Sequence, residues 1–529
     1  MPCSVAMTSC PYSWPPPRRW LPSCSAGAGR DSSALARCQQ LSSMSRKVAH
    51  NALWNVGGQV VSLGVGLVAL PILLHALGAA RLGVFTLALG LIGFSGLFDL
   101  GLSRALTQTV SSSLGQGRSR AQVAALVWRV IGMLAGFGML WLVALWWAAP
   151  FLVDRLFSLS GEMARETIFG LRALALSIPF ALAATGAMGT LEGLQQFRLL
   201  SLWRMPMSVL QFGLPVIVAL IRPDIGWVIA ALAVTRVVWM LLWLKQLHRL
   251  LPREPGISAS RADLRHALHF GGWLSVSNLI GPLMVYADRF YLASVFPPAT
   301  VAYYTVPFDT AFRATSLPQT AMNALFPALA ETQARPEAST RLLALAIRAV
   351  VVVLLPAVLV VAVFAHSLLA LWLNASFAGP ATPVLQLLLL GIFLNSAAHL
   401  PYALLQAHGR SDLTAKLHLL ELPVFAALLV AGVHRYGITG AALAWTLRVV
   451  LDTALLYFTS WWLHPPLRSV LARGAGLLCL ACGAFLLVVY ELHGQLQLVL
   501  TGILVAASAF AALRMLHLSR SNTHKKITP

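Results

Sequence analysis

The sequence has 529 residues, of which 58% are hydrophobic and only 10% are charged, and its mean hydropathy is +0.76. A soluble domain carries roughly 25% charged residues, so this chain must present most of its exterior to lipid and is not a soluble enzyme. Lys and Arg number 38 against 17 Asp and Glu. No soluble basic fold is available to bind nucleic acid, so we expect the excess in cytoplasmic loops and in internal cavities that handle anions.

The first 43 residues show neither apolar periodicity nor the hydrophobic core of a secretory signal, and we interpret 1–43 as a disordered leader. Met44 and the basic pair Arg46 and Lys47 directly precede the first membrane run. This arrangement is typical of the amino terminus of a membrane protein. We therefore hypothesise that the native protein starts at Met44 and that the assigned start lies too far upstream. Amino-terminal sequencing of the native protein would refute it by finding residues before Met44.

Apolar runs of about 18 residues or more predict an all-α polytopic membrane protein with about fourteen transmembrane helices, because about 20 apolar residues cross a bilayer core. The predicted spans are approximately Ala52–His75, Leu82–Gln108, Leu126–Ala149, Ile168–Thr190, Leu200–Ile221, Ile225–Leu244, Gly271–Val295, Val301–Ala330, Leu342–Phe364, Ala381–Ala407, Leu417–Val433, Ile438–Leu463, Gly474–Tyr490 and Leu496–Leu513. The loops between these runs are too short to fold alone. Any function therefore lies within the membrane.

Basic residues are concentrated in alternate loops, and this distribution predicts the orientation of the protein in the membrane. One set of loops holds Arg118, Arg120, Arg198, Lys245, Arg249, Arg253, Arg261, Arg265, Arg335, Arg341, Arg410, Arg468 and Arg473, and the tail adds Arg520, Lys525 and Lys526. The opposite set holds little beyond Arg81, Arg155, Arg165, Arg222 and Arg435. The positive-inside rule therefore predicts that both termini are cytoplasmic.

An internal repeat predicts the domain organisation. The run Ala230–Val238 recurs as Ala441–Val450 with one residue inserted, although chance similarity between Ala/Leu-rich helices is an alternative. The repeat favours two pseudo-symmetric six-helix lobes, which suit alternating access. The predicted divisions are the leader 1–43, an N-lobe 44–247, a cytoplasmic linker 248–266, a C-lobe 267–463, an additional helix pair 464–513 and a basic cytoplasmic tail 514–529.

Several stretches of the chain resemble a known family when their order and spacing are taken together. They are Leu77–Phe85, Phe98–Leu106, Leu191–Phe197, Phe270–Trp273, Ala287–Phe290, Leu325–Pro327 and Gly437–Trp445. The sequence is similar in these stretches to the polysaccharide transporter family, the Wzx-type O-antigen and lipid-linked oligosaccharide flippases of the MATE-like MOP superfamily. The resemblance covers about 44–463.

The resemblance implies a flippase that moves undecaprenyl-pyrophosphate-linked oligosaccharide across the bacterial inner membrane for O-antigen, capsule or exopolysaccharide synthesis. It implies no enzymatic step, cofactor or metal. The expected partners are the lipid-linked oligosaccharide, membrane lipids, and a polysaccharide polymerase with other assembly proteins. One alternative is a MATE-like small-molecule exporter, which would need a more acidic cavity. Another is a membrane glycosyltransferase or polymerase, which would need a larger outward loop than this chain has.

Three deep arginines are the first candidates for substrate binding. Arg236 and Arg448 hold equivalent places in the repeat, and Arg313 lies within the eighth predicted span. Intramembrane charges should face a cavity or a partner, and an arginine fork binds phosphate oxygens bidentately. The alternative is structural, because Asp309 with Arg313, and Arg448 with Asp452, are spaced i,i+4 on one helix face.

Four other charged residues are candidates of two kinds. The resemblance adds Asp288 and Arg289 to the substrate-binding set, although adjacent residues point about 100° apart around a helix. Asp99 and Glu421 are acids within apolar spans and are candidates to carry a coupling ion. A salt bridge to a neighbouring helix is the alternative for both of these acids.

Overall fold

The computed structural model describes residues 61, 64–92, 102–115, 118–253, 283–313, 315, 336–408 and 410–525. All regular structure in this part of the chain is helical. The helices are α1 (Gly64–Ile92), α2 (Leu102–Gly115), α3 (Arg120–Phe151), α4 (Gly161–Gly193), α5 (Phe197–Ile221), α6 (Ile225–Leu250), α7 (283–295), α8 (Pro298–Arg313), α9 (Pro336–Val363), α10 (Ala365–Trp372), α11 (Ala375–Ala407), α12 (Ser411–Leu463), α13 (Arg468–Leu486) and α14 (Gly494–Lys525). The leader 1–43, Asp99 and most of the linker 248–266 lie outside the described residues.

Nine helices of the described part are long and apolar enough to cross a membrane, namely α1, α3, α4, α6, α9, α11, α12, α13 and α14. Large apolar side chains on their outer faces are exposed, among them Trp147 at 77% and Leu480 at 74%. Such exposure is costly in water and favourable in lipid. The structure therefore confirms the prediction of an all-α polytopic membrane protein.

Two of the long helical segments change direction at a glycine. Gly78 in α1 and Gly437 in α12 have φ of +77° and +60°, values that favour glycine because it lacks a Cβ atom. The backbones of Gly432 and Gly440 then touch across the α12 break. Segment α12 is therefore an antiparallel helical hairpin. Both breaks fall between predicted spans, after His75 and after Val433.

The close approach of Gly432 and Gly440 gives a stability prediction. A Cβ atom at Gly440 would collide with the Gly432 carbonyl group, and overpacking of this kind costs about 1–3 kcal/mol or more. We expect Gly440→Val to lower the thermal unfolding midpoint of the purified protein in detergent. Gly476→Ala is the control, since no atom of the described residues lies within 4 Å of a Cβ atom there. An equal midpoint for both variants would contradict the hairpin packing.

The N-lobe is organised around α4, which packs against α3 and α6. Its central core includes Leu106, Val127, Leu134, Leu182 and Trp243, which are all buried. These residues come from α2, α3, α4 and α6. Helix α4 therefore positions the inward faces of its neighbours.

An ion pair ties together one end of the N-lobe. The Arg81 guanidinium donates to both carboxylate oxygens of Glu166, with Nη2–Oε1 and Nε–Oε2 distances of 2.9 and 3.0 Å. The same carboxylate accepts from the Ile225 amide at 3.2 Å, where α6 begins. We call the end of the molecule that contains Arg81, Glu166 and Ile225 the clamp end.

The two lobes contact each other near the clamp end. Gly83 of α1 lies directly against the Pro298 carbonyl group at the start of α8. The hydroxyls of Thr86 and Thr305 are 2.7 Å apart, and the Trp372 indole donates to the Leu67 carbonyl oxygen at 2.6 Å. We call the Gly83–Pro298 and Thr86–Thr305 contacts the gate.

The cores separate away from the gate. One hydrophobic cluster runs from the clamp end of the N-lobe into α8, α9, α11 and α12. At the opposite end, the N-lobe core around Leu106 and Val127 is a distinct cluster, and so is a small cluster of Ala398, Leu405 and Leu456. Within the described residues, lobe-to-lobe packing is therefore concentrated at the clamp end, although the exact division into domains stays a prediction.

A histidine pair lies where α11 and α12 end, outside the membrane-spanning segments. The His408 and His464 rings are 4.1 Å apart, and the buried His464 Nε2 has no hydrogen-bond partner among the described residues. Burial, and then the neighbouring His408, lower the pKa of His464 from 6.5 to about 4. Protonation of His464 therefore opposes folding.

This histidine pair predicts a pH dependence of stability. A lowered folded-state pKa means that the stabilising contribution is present above pH 6.5 and is lost as the pH falls towards 4. We expect the unfolding midpoint in detergent to fall across this window. His464→Gln should flatten that part of the curve, whereas an unchanged slope in the variant would assign the pH dependence to other groups.

Candidate functional site

Arg289 and Asp309 form an ion pair between α7 and α8. Arg289 Nη2 lies 2.6 Å from Asp309 Oδ1, and the side chains are 2% and 20% exposed. The guanidinium also lies over the Tyr286 and Phe308 rings, 4.7 and 4.9 Å from their centroids. The carboxylate therefore neutralises Arg289 while two aromatic faces hold its orientation.

Asp288 points away from this pair, as its adjacent position predicts. It is fully buried, accepts a hydrogen bond from the Tyr304 hydroxyl, and accepts another from the Arg289 amide at 2.8 Å. These contacts hold α7 against α8. Asp288 is therefore not accessible to a substrate in this conformation, in contrast to its predicted place in the substrate-binding set.

Arg313 lies at the boundary between the lobes. Its guanidinium is 5.1 Å from the centroid of the Phe212 ring on α5. A shallow depression there is lined by Gly66, Leu67, Leu70, Leu89, Phe212, Asp309, Thr310 and Arg313. The partner expected for Arg313 from i,i+4 spacing, Asp309, forms its ion pair with Arg289 instead. The contact with Phe212 places Arg313 beside the N-lobe.

An apolar cavity of about 230 Å³ lies next to Arg289. It is lined by Val84, Leu87, Ala88, Leu91, Leu152, Phe157, Leu171 and Phe290. Gly90 lies close to both Arg289 and the cavity-lining Phe290, because a Cβ atom there would be 3.6 Å from the Arg289 side chain and 4.0 Å from that of Phe290. Phe290 of the cavity wall directly follows Arg289, whose charge is paired with Asp309.

Arg236 lies near the middle of α6, on the stripe that faces the protein interior. It shares this face with the buried Leu232, Met240 and Trp243, whereas Val234 and Leu241 on the opposite face are 52% and 57% exposed. No acidic side chain of the described residues pairs with its guanidinium. An unpaired cation inside a membrane protein is by default a functional-site hypothesis.

Arg448, the equivalent of Arg236 in the repeat, is neutralised. Its Nη2 lies 3.3 Å from Glu421 Oε2 across the α12 hairpin, and Glu421 is fully buried. The expected i,i+4 partner Asp452 faces His418 instead, with Nε2 and Oδ1 3.7 Å apart. The predicted pair within one helix was therefore wrong, and a salt bridge between helices takes its place.

The structure thus brings together only part of the predicted substrate-binding set. Arg289 and Arg313 approach the lobe boundary, Arg236 lies deeper in the N-lobe, and Arg448 with Glu421 forms a separate cluster in the C-lobe. Sequence reasoning missed the role of Phe212. No local pattern signals it, because its contact with Arg313 joins residues about 100 positions apart.

Comparisons with known proteins agree with this architecture. The chain is 27% identical over 423 residues to a putative O-antigen transporter of Shigella flexneri, covering 80% of this chain and 99% of that protein. It is 24% identical over 433 residues to the lipopolysaccharide biosynthesis protein WzxC of Escherichia coli K12, covering 79% and 81% of the two chains.

Two solved structures share the fold. The lipid II flippase MurJ in an inward closed conformation matches with a TM-score of 0.65 and 9% identity, covering 88% of this chain and 99% of its own. An inward-facing multidrug resistance MATE family transporter of the MOP superfamily matches with a TM-score of 0.60 and 16% identity, covering 79% and 98%. The profile of the polysaccharide biosynthesis protein family matches residues 48–333, more than half of the sequence. The chain belongs to the polysaccharide biosynthesis protein family of membrane transporters.

Proposed function

We propose that this protein is a flippase that translocates undecaprenyl-pyrophosphate-linked oligosaccharide across the bacterial inner membrane by alternating access. The observation that carries the proposal is Arg236, an interior arginine of the N-lobe without an acidic partner among the described residues. A pyrophosphate headgroup supplies the negative charge that this position lacks. Arg313 and the Arg289–Asp309 ion pair lie at the lobe boundary.

The apolar cavity beside Arg289 supports a lipid substrate. A polyprenyl chain needs a hydrocarbon surface, and the cavity wall consists of aliphatic and aromatic side chains. Arginine forks bind phosphate oxygens bidentately, and this interaction strengthens when water is excluded. The protein therefore offers an arginine for the headgroup and an apolar surface for the isoprenoid chain, and no covalent step is required.

The orientation proposed for the protein follows from the loop charges. The weakly basic set of loops includes Arg81, Arg165 and Arg222, which lie at or near the clamp end. The positive-inside rule places that end in the periplasm and both termini in the cytoplasm. The gate then closes the periplasmic side, so the described conformation would accept substrate from the cytoplasmic leaflet. A polysaccharide polymerase and other assembly proteins would receive the product.

The proposal is tested by deleting the gene and analysing lipid-linked glycan and surface polysaccharide. In the deletion strain we expect the lipid-linked glycan to be trapped in the cytoplasmic leaflet. The wild-type gene should restore the surface polysaccharide, whereas well-expressed Arg236→Ala should not. Arg222→Ala is the matched control, because its side chain is 62% exposed and a surface pair with Asp224 contributes little. Normal surface glycan in a deletion strain without a redundant flippase would favour the exporter alternative.

A further inference from the structure

The α12 hairpin encloses a second charged cluster. Both Arg448 Nε and Nη2 lie 3.3 Å from Glu421 Oε2. Asp452 lies one turn beyond Arg448, and its carboxylate also faces that of Glu421. The Glu421 and Asp452 side chains are 0% and 7% exposed.

The charges of this cluster do not balance. Among the described residues, the Glu421 carboxylate pairs with the Arg448 guanidinium, whereas the Asp452 carboxylate lies near Glu421 and His418. With His418 neutral, this cluster carries an excess of one negative charge within a membrane-spanning segment when both acids are ionised. One oxygen of each carboxylate, Glu421 Oε1 and Asp452 Oδ1, has no hydrogen-bond partner within the described residues. A buried carboxylate that is both unbalanced and incompletely hydrogen-bonded is strongly disfavoured. A proton shared by the two carboxyl groups removes the excess negative charge and supplies the missing hydrogen bond.

The neighbouring groups indicate where that proton lies and how it exchanges. His418 Nε2 is 3.7 Å from Asp452 Oδ1, longer than the approximately 2.7–2.9 Å of a charge-assisted hydrogen bond. The His418 ring, stacked on Tyr402 of α11, is 28% exposed. His418 is thus the more accessible neighbour of the pair, and Tyr402 is the titratable group that α11 places beside it.

We propose that Glu421 and Asp452 form a proton-binding site that holds one shared proton at neutral pH and exchanges it through His418. Binding joins one proton to a carboxylate oxygen, and release returns it to water by way of the imidazole. No other reactant takes part.

The site also has a mechanical connection to the lobe boundary. Arg448 Nη2 contacts Met284 Sδ on α7 at 3.8 Å. Asp288 lies one turn further along α7, and the adjacent Arg289 pairs with Asp309. Loss of the proton leaves an uncompensated negative charge that attracts the Arg448 guanidinium. Because Arg448 contacts Met284, a movement of its side chain would change the packing against α7. This coupling to transport rests on the proposed function, whereas proton binding itself does not.

Infrared spectroscopy of the full chain in phosphatidylethanolamine–phosphatidylglycerol vesicles tests proton binding without any substrate. We expect wild type at pH 7 to show the carbonyl stretch of a protonated carboxyl group that is lost in Glu421→Gln. It should also be lost in Asp452→Asn, because either change leaves one carboxylate opposite one guanidinium. Loss in both single variants distinguishes a shared proton from two independent groups.

Asp412→Asn is the matched control, because this acid of the same segment is exposed and pairs at the surface with Arg410 and Lys416. The control should keep the wild-type band. Unfolding midpoints within a few degrees of wild type show that each variant is folded. Persistence of the band in either Glu421→Gln or Asp452→Asn overturns the proposal.

A transport assay separates this inference from the proposed function. The probe is a fluorescent polyprenyl-pyrophosphate-linked sugar in proteoliposomes with an imposed pH gradient. Wild type should move it several-fold faster with the gradient than without, and Glu421→Gln should show equal rates. If wild type moves no probe under any gradient while the infrared result holds, the flippase proposal fails and the proton site stands. A wild-type rate that does not depend on the gradient overturns the coupling.

Discussion

Replacing Gly83 with valine is expected to reduce transport about tenfold to a hundredfold while leaving the protein folded. A Cβ atom at this position would collide with the Pro298 carbonyl group. Overpacking costs roughly 1–3 kcal/mol, and every 1.4 kcal/mol changes an equilibrium constant about tenfold. The clash arises where α1 of the N-lobe meets α8 of the C-lobe. It therefore disfavours the closed gate, where the two lobes share one hydrophobic cluster.

The measurement is the reactivity of a cysteine introduced at Thr305 in a background from which the six native cysteines are removed. Thr305 is fully buried beside Thr86, so a membrane-impermeant maleimide should label it slowly in the parent protein. Adding Gly83→Val should accelerate labelling together with the loss of transport.

Gly64→Ala is the control for this prediction, since it lies on the same segment and no atom in the described part of the chain comes within 4 Å of a Cβ atom there. It should leave both the labelling rate and transport unchanged. Equal labelling in Gly83→Val and Gly64→Ala would show that the gate does not open in the manner proposed.

The membrane spans were predictable because hydropathy is a local property of the sequence. The reversals at Gly78 and Gly437 fall between predicted spans, since a chain that leaves the membrane must turn where its apolar run ends. Arg236 could also be singled out, because the repeat aligns it with Arg448 within an apolar span; its role in substrate binding stays a prediction. These conclusions need no knowledge of which helices touch.

The partners of the charged residues were not predictable in the same way. The i,i+4 rule assigns Asp309 to Arg313 and Asp452 to Arg448, but each arginine or acid can also reach across to a neighbouring helix. In the structure Asp309 pairs with Arg289 and Glu421 pairs with Arg448. The register of two packed helices decides these pairs, and it depends on close contacts such as that between Gly432 and Gly440. No single-helix pattern contains that information.

The two repeat-related arginines should respond in opposite ways to the same substitution. Arg448→Met leaves the fully buried Glu421 without its guanidinium, and breaking a buried ion pair costs about 3–5 kcal/mol. Arg236→Met removes a cation that pairs with no acid among the described residues, so its free energy of unfolding should be unchanged or slightly higher. Unfolding of the purified variants in detergent measures the difference.

Adding Glu421→Gln to Arg448→Met tests why the single variant loses stability. If Arg448 serves to neutralise Glu421, the double variant should regain much of the stability lost by the single variant, because no unpaired carboxylate remains at position 421. The same second change added to Arg236→Met should bring no recovery of transport, since the role proposed for Arg236 is to bind the substrate and not to pair with Glu421. Equal destabilisation by Arg236→Met and Arg448→Met would contradict this division, because it would require an acidic partner for Arg236. Arg236 and Arg448 hold equivalent positions in the proposed repeat, and Glu421 across the α12 hairpin separates the neutralised cation from the one proposed to bind an anionic headgroup.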